Sequence, residues 1–179
     1  MTDASEIIDF WRDAGPKAWF AKDDDFDAIV RAMFEESHHS AARGELKAWE
    51  ETHEGALALL LLLDQFPRNM YRGSAHAFAT DGLARQIATR AVDRGFDRMA
   101  PGDMRAFFYL PFEHSERAED QARSCALFVT AEDENNIKWA RLHAEIIAKY
   151  GRFPHRNEAL GRESTAEELA FLESGGFKG

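Results

Sequence analysis

The sequence has 179 residues, 45% hydrophobic and 30% charged, which is ample for one apolar core and ordinary for a water-soluble globular chain. Its net charge of −10 excludes a general nucleic-acid binder, which needs a basic face to displace counterions from phosphates, and weighs against docking on anionic lipid. The one cysteine, Cys125, rules out an intrachain disulfide or a thiolate cluster built from one chain, and beside Ala122, Phe128 and Val129 in a predicted helix it reads as an inert buried thiol.

The opening residues, Met1 to Glu6, are polar and acidic, and no basic stretch leads into an apolar one, so no signal peptide is expected. Asp3-x-x-Glu6 reads as a capping box for a first helix carrying Ile7, Ile8, Phe10 and Trp11, with Gly15-Pro16 as its stop. Asp23-Asp24-Asp25 favours a second helix start, where negative charge complements the dipole. Phe26, Ile29, Val30, Met33 and Phe34 then repeat as one apolar stripe, closed by Gly44 after a break near His38-His39. A Leu-rich third helix from about Thr52 to Asp64 has little polar face and should be central. Thr80 or Asp81 opens a helix through Ile87 and Ala91 that Gly95 ends. Asp103 opens a short aromatic helix, Met104 to Leu110, which Pro111 interrupts. Ser115 or Glu116 starts the next, reaching about Ala131. Asn135 or Asn136 caps one with Trp139, Ala140, Ile146, Ile147 and Tyr150 on one face, ended by Gly151. Ser164-x-x-Glu167 and Thr165-x-x-Glu168 are overlapping capping boxes for a last helix with Leu169 and Leu172, ended by Gly175-Gly176.

No segment alternates with period two, so the expected fold is all-α: eight or nine helices in a single domain over residues 1–179. Helix pairs of this length resemble a tetratricopeptide-like array, although the full repeat signature does not recur. The most apolar run, Leu57 to Leu63, is far below the roughly 20 residues of a membrane span. A cytoplasmic protein is expected.

Two strings share a pattern: "LDQFPRNMYRG" (63–73) and "YGRFPHRNEALGR" (150–162). Each follows an apolar helix. Proline lacks an amide and pushes its predecessor out of helical geometry, so Phe66 and Phe153 should leave their helices as extended, inward-pointing anchors. Asn69 and Asn157 should then cap the short segments that follow. Arg68 and Arg156 remain beside the helix ends. They either hold carboxylates or carbonyls, with Asp64, Glu113 and Glu116 as candidate partners, or converge with Arg72 and Arg152 on an anionic ligand.

A third string, "LPFEHSERAEDQ" (110–121), repeats the theme: Pro111, an anchoring Phe112, then Glu113-His114-Ser115-Glu116 at a helix start, where free amides can hold an anion. His114, His155 and Glu113 are the candidates for acid–base chemistry. His143, on an apolar stripe that runs down to Tyr150, reads either as a satisfied core histidine or as the floor of a pocket. Glu50-x-x-His53 has the spacing of a di-metal bundle motif but no second copy, and no other metal or cofactor pattern is present, so neither is expected.

The strings "LLLDQFPRNMYRG", "LPFEHSE" and "YGRFPHRN…LGREST", with the early "FW", Phe26-Asp27 and "AFATD" (77–81), resemble those of the bacterial domain-of-unknown-function family 924 across essentially the whole chain. The resemblance implies an all-helical fold of the tetratricopeptide-like superfamily, and it implies no activity.

The functional expectation is that the three Pro-containing strings gather around one polar pocket. Arg68, Asn69, Arg72, His143, Arg152, Arg156 and Asn157 would bind an anionic small molecule or a carboxylate, with Glu113 and Glu116 holding the arginine forks and the histidines moving a proton. The rival is a non-enzymatic helical scaffold holding a partner peptide in a groove. Oligomeric state is not readable.

Overall fold

The computed structural model describes residues 2–178, and among them the chain forms nine α-helices, joined by short 3-10 and π turns, with no strand. The backbone divides into two compact units: the residues up to Arg72 with His76–Pro111, and Gly73–Ala75 with everything from Phe112 onward.

In the first unit, α1 (Ala4–Trp19) begins on the expected capping box, Asp3 and Glu6 exchanging two hydrogen bonds of 2.9 Å. Gly15 departs from helical dihedrals (φ 74°, ψ 171°), and the chain resumes through Pro16, so the pair kinks this run instead of ending it. α2 (Asp24–Ala42) is capped by Asp23, which accepts from the Asp25 and Phe26 amides. Its buried edge is Val30, Phe34, His38 and Ala41. Ile29 and Met33, expected on the same stripe, stand 49% and 51% exposed, because each lies about 100° round the axis from that edge.

α3 (His53–Leu60) is capped by the Thr52 hydroxyl, and Leu57 to Leu63 are all buried, as their composition predicts. The helix does not stop at the proline. Leu61–Gln65 forms a wider π turn in which the Phe66 amide reaches back to the Leu61 carbonyl. α4 (Phe66–Met70) continues with Pro67 in its first turn. Phe66 is helical (φ −59°, ψ −37°), not extended. The π turn explains how: it takes the donor that an α-helix would give Leu62, and Pro67 has none to give Leu63. Side chains substitute. His38 Nδ1 donates to the Leu62 carbonyl (2.8 Å) and Thr80 Oγ1 to that of Leu63 (2.6 Å). Arg68 Nη1 adds a bond to the next carbonyl, that of Asp64. His38 is thus a buried helix residue with a fixed tautomer, where a loop or helix end was expected. Burial, the largest influence on it, lowers its pKa. Phe66 joins an aromatic centre with its ring 4.9 Å from Phe34 and 5.2 Å from Trp11.

α5 (Asp81–Asp93) follows Thr80 and packs on α3. A 3-10 run, Gly102–Phe108, replaces the predicted aromatic helix. Pro111 lies inside the short α6 (Leu110–Glu113) instead of ending a helix, since a first turn has no use for its missing donor.

In the second unit, α7 (Ala118–Thr130) starts two or three residues later than expected, with Arg117 at its cap. It packs along α8 (Glu134–Tyr150). α8 is capped by Asp133, whose carboxylate accepts from the Asn136 amide at 3.1 Å, and not by either asparagine. Ile137, Ala140, His143, Ile146 and Ile147 are buried, while Trp139 is 45% exposed. α9 (Ala166–Glu173) uses the Thr165/Glu168 box of the two predicted. No described helix is long and apolar enough to cross a membrane.

Candidate functional site

Arg68, Asn69 and Arg72 find their partners within the first unit. The Arg68 fork meets Asp81 at 2.9 and 3.0 Å and comes within 3.5 Å of the Asp64 carboxylate. Burial opposes its charge, but Asp64 and Asp81 prevail and hold it protonated. Asn69 lies inside α4 and caps nothing. Its Nδ2 donates to Asp27 (2.7 Å), and Arg72 grips the same carboxylate at 2.8 and 3.0 Å.

The second and third strings meet in the second unit. Gly151 takes the left-handed conformation that ends α8 (φ 70°), which a side chain there would strain. Phe153 follows as an extended, fully buried residue (φ −88°, ψ 108°), as predicted. Its amide donates to Glu116 Oε1 at 2.8 Å. Arg156, itself buried, donates from Nη1 to the His114 carbonyl (2.9 Å) and lies 4.5 Å over the Phe153 ring. Glu116 does hold an arginine fork, but it is that of Arg162, at 2.7 and 2.9 Å. Burial works to raise the Glu116 pKa, and Arg162 with the Phe153 amide overcomes it, leaving the carboxyl below its ordinary range. Arg152 is held by Glu168 at 2.6 and 2.8 Å. Asn157 is not a helix cap either. It donates to Ser164 and Glu168 and accepts from Arg162. The Arg152 fork, the Thr165 amide and Asn157 hold the Glu168 carboxyl down at about 2.

Glu113 faces a histidine. His143 Nδ1 lies 2.8 Å from the Trp139 carbonyl and 3.3 Å from Glu113 Oε1. Both are acceptors, so this nitrogen carries the proton. Gln121, fully buried, donates to the carbonyls of Glu113 (2.6 Å) and Ser115 (2.7 Å) and so fixes the turn that bears Glu113. The His143 ring stands edge-on to Phe153 (5.3 Å between centroids) and to Phe177 (4.6 Å). His155 touches the same two rings at 5.7 and 5.2 Å. Cys125, half-buried, has its thiol pKa raised, first by burial and then by Glu113, which suits the inert reading.

Two imidazoles therefore pack against the rings of Phe153 and Phe177 in the second unit, with the buried Glu113 beside His143 and the buried Arg156 over Phe153; the space that Phe177 fills between the histidines is termed the slot. Of the predicted site residues, Glu113, His114, Glu116, His143, Arg152, His155, Arg156 and Asn157 belong to this connected network. Arg68, Asn69 and Arg72 belong to the aspartate network of the first unit. Sequence reasoning missed Phe177, Gln121 and Arg162 as members, and it read Glu168 only as a cap. Asp27 and Asp81 were visible inside characteristic strings but not as arginine partners. Two open clefts in the first unit, of about 770 and 290 Å³, are lined by none of the predicted residues; the larger has the ion pairs Arg90–Glu50 and Arg94–Glu51 along it. Among the described residues no group of three or more His, Cys, Asp or Glu side chains is placed to hold a metal ion.

A solved structure of similar shape and sequence is that of a protein of unknown function, ATU0120 from Agrobacterium tumefaciens: 48% identity over 96% of this chain and 97% of that one, with a TM-score of 0.92. No curated protein matches the sequence. The family model described as "bacterial protein of unknown function" covers residues 7–176, which is nearly the whole chain, and the protein therefore belongs to the DUF924 family.

Proposed function

We propose that the second unit binds a small anionic molecule, a carboxylate or phosphorylated metabolite, and that His143 and His155 are the groups able to move a proton on it. The observation that carries this reading is the His143–Glu113 pair, whose carboxylate fixes one imidazole nitrogen as a donor while His155 shares the same two aromatic neighbours. A base oriented by a third group in this manner is the usual arrangement for acid–base chemistry. Arg156 lies over Phe153, one of the rings that both histidines touch. Arg68, Arg72 and Arg152 are assigned to structure, because each fork is already occupied by a carboxylate.

A thermal-shift panel of carboxylates and phosphorylated metabolites tests this. A ligand of the folded state raises the melting temperature by mass action. The expected result is a shift in the native protein that His143→Gln and Arg156→Lys abolish and Arg90→Ala, at the cleft of the first unit, leaves intact. No shift at millimolar concentrations, or one that survives both substitutions, would mean that these polar groups only fasten loops. A response to extended peptides alone would favour a tetratricopeptide-like scaffold.

A further inference from the structure

We propose that Phe177 is a built-in occupant of the slot, and that the ligand is an aromatic ring bearing an anionic group that displaces it. This rests on the reading of the second unit as a ligand site.

What the slot accepts is read from what fills it. The Phe177 ring sits against both imidazoles, with His143 at 4.6 Å and an interplanar angle of 68° and His155 at 5.2 Å and 84°, and with Trp139 at 6.3 Å. The two imidazole contacts are edge-to-face, the arrangement a ring quadrupole favours and a saturated group cannot make. Phe177 packs on the cluster of Ile146, Ile147 and Phe153 but is only partly buried itself, whereas His143 behind it is 6% exposed.

The approach of Phe177 is set by the end of α9. Gly175 is left-handed (φ 88°), and the Gly176 amide returns to the Phe171 carbonyl at 2.9 Å, the six-to-one bond of a Schellman stop. A Cβ on Gly176 would sit 2.5 Å from that carbonyl oxygen, so the backbone passes where only glycine fits. The stop turns the chain across α8 and delivers one ring to the two histidines. Displacing that ring requires rotation after a helix end, not unfolding of α8 or α9. Phe177 supplies a ring without a negative group. A ligand with both competes by adding an interaction with Arg156 or a protonated imidazole.

Diethyl pyrocarbonate modification of the full chain, read residue by residue by mass spectrometry, tests the proposal with phenylacetate as probe and cyclohexylacetate as its non-aromatic control. Phe177→Ala should raise the modification rate of His143 and His155 severalfold and leave His38, buried in the first unit, unchanged. Phe177→Leu, which keeps apolar bulk, should fall between. Phenylacetate should protect both histidines at a concentration severalfold lower in Phe177→Ala than in the native protein, and cyclohexylacetate should protect poorly in either. An unchanged His143 rate in Phe177→Ala overturns the occupancy. Equal protection by the two acids overturns the aromatic assignment while leaving an anion site standing. Protection by neither acid in either protein, together with a flat thermal-shift panel, removes both readings.

Discussion

Phe66-Pro67-Arg68-Asn69 and Phe153-Pro154-His155-Arg156-Asn157 share their letters and bury their phenylalanines completely, yet the backbone runs through the first as helix and leaves helix before the second. The difference lies outside the shared letters. Before Phe153, Gly151 turns left-handed and ends α8 two residues ahead of the ring. Before Phe66 there is no such residue; a π turn loosens the helix, and the His38 and Thr80 side chains serve the two carbonyls left without a backbone donor. Proline states that one donor is missing. Whether the helix ends there depends on whether other donors reach the carbonyls.

The largest test of the comparison is the anchor common to both. Phe66→Ala and Phe153→Ala should each cost about 3–5 kcal/mol in chemical denaturation, because each empties a fully buried ring site. Near-equal losses would show that the strings share an anchoring role despite opposite backbones, and a loss under about 1 kcal/mol at either site would break the parallel.

The next is acid. Glu168 closes the second string on Arg152 and Asn157, and its carboxyl sits at about 2 against an ordinary 4.5. A depressed folded-state pKa means stability present above the unfolded value and lost as protons bind. Amide protection of α9 should hold above about pH 4.5 and decline as pH falls toward 2. Glu168→Gln should lower stability by about 2 kcal/mol at neutral pH and flatten the decline. An unchanged acid profile in that variant would exclude Glu168 as its source.

The smallest effect distinguishes the first string. Thr80→Ala removes the donor to the Leu63 carbonyl and should cost about 1–2 kcal/mol. Pro67→Ala restores a backbone amide that can serve the same carbonyl, so the Thr80→Ala penalty should shrink by about half in that background. Strict additivity in the double-mutant cycle would show that proline and threonine do not share the carbonyl.

What could be read in advance was local. Asp3 with Glu6 and Thr165 with Glu168 meet within one turn, so their capping boxes are visible in four letters. The apolar run at Leu57 to Leu63 announced a central helix by composition alone. Partners far apart in the chain could not be read. Arg72 finds Asp27 across 45 positions, and Arg162 finds Glu116 across 46. The sequence offers several carboxylates to each arginine, and only the packed fold selects among them. The same limit hid the slot in the second unit. His143 and His155 were named separately, but Phe177, which joins them, carries no mark beyond a glycine pair before an aromatic residue.

The π turn has a consequence for how the first unit acquires its structure. A peptide of residues 53–70 alone would leave the Leu62 and Leu63 carbonyls to solvent, since their donors stand 24 residues before and 17 residues after in the chain. The polar groups of its most hydrophobic helix are therefore satisfied only when α2 and the residue that opens α5 are packed beside it.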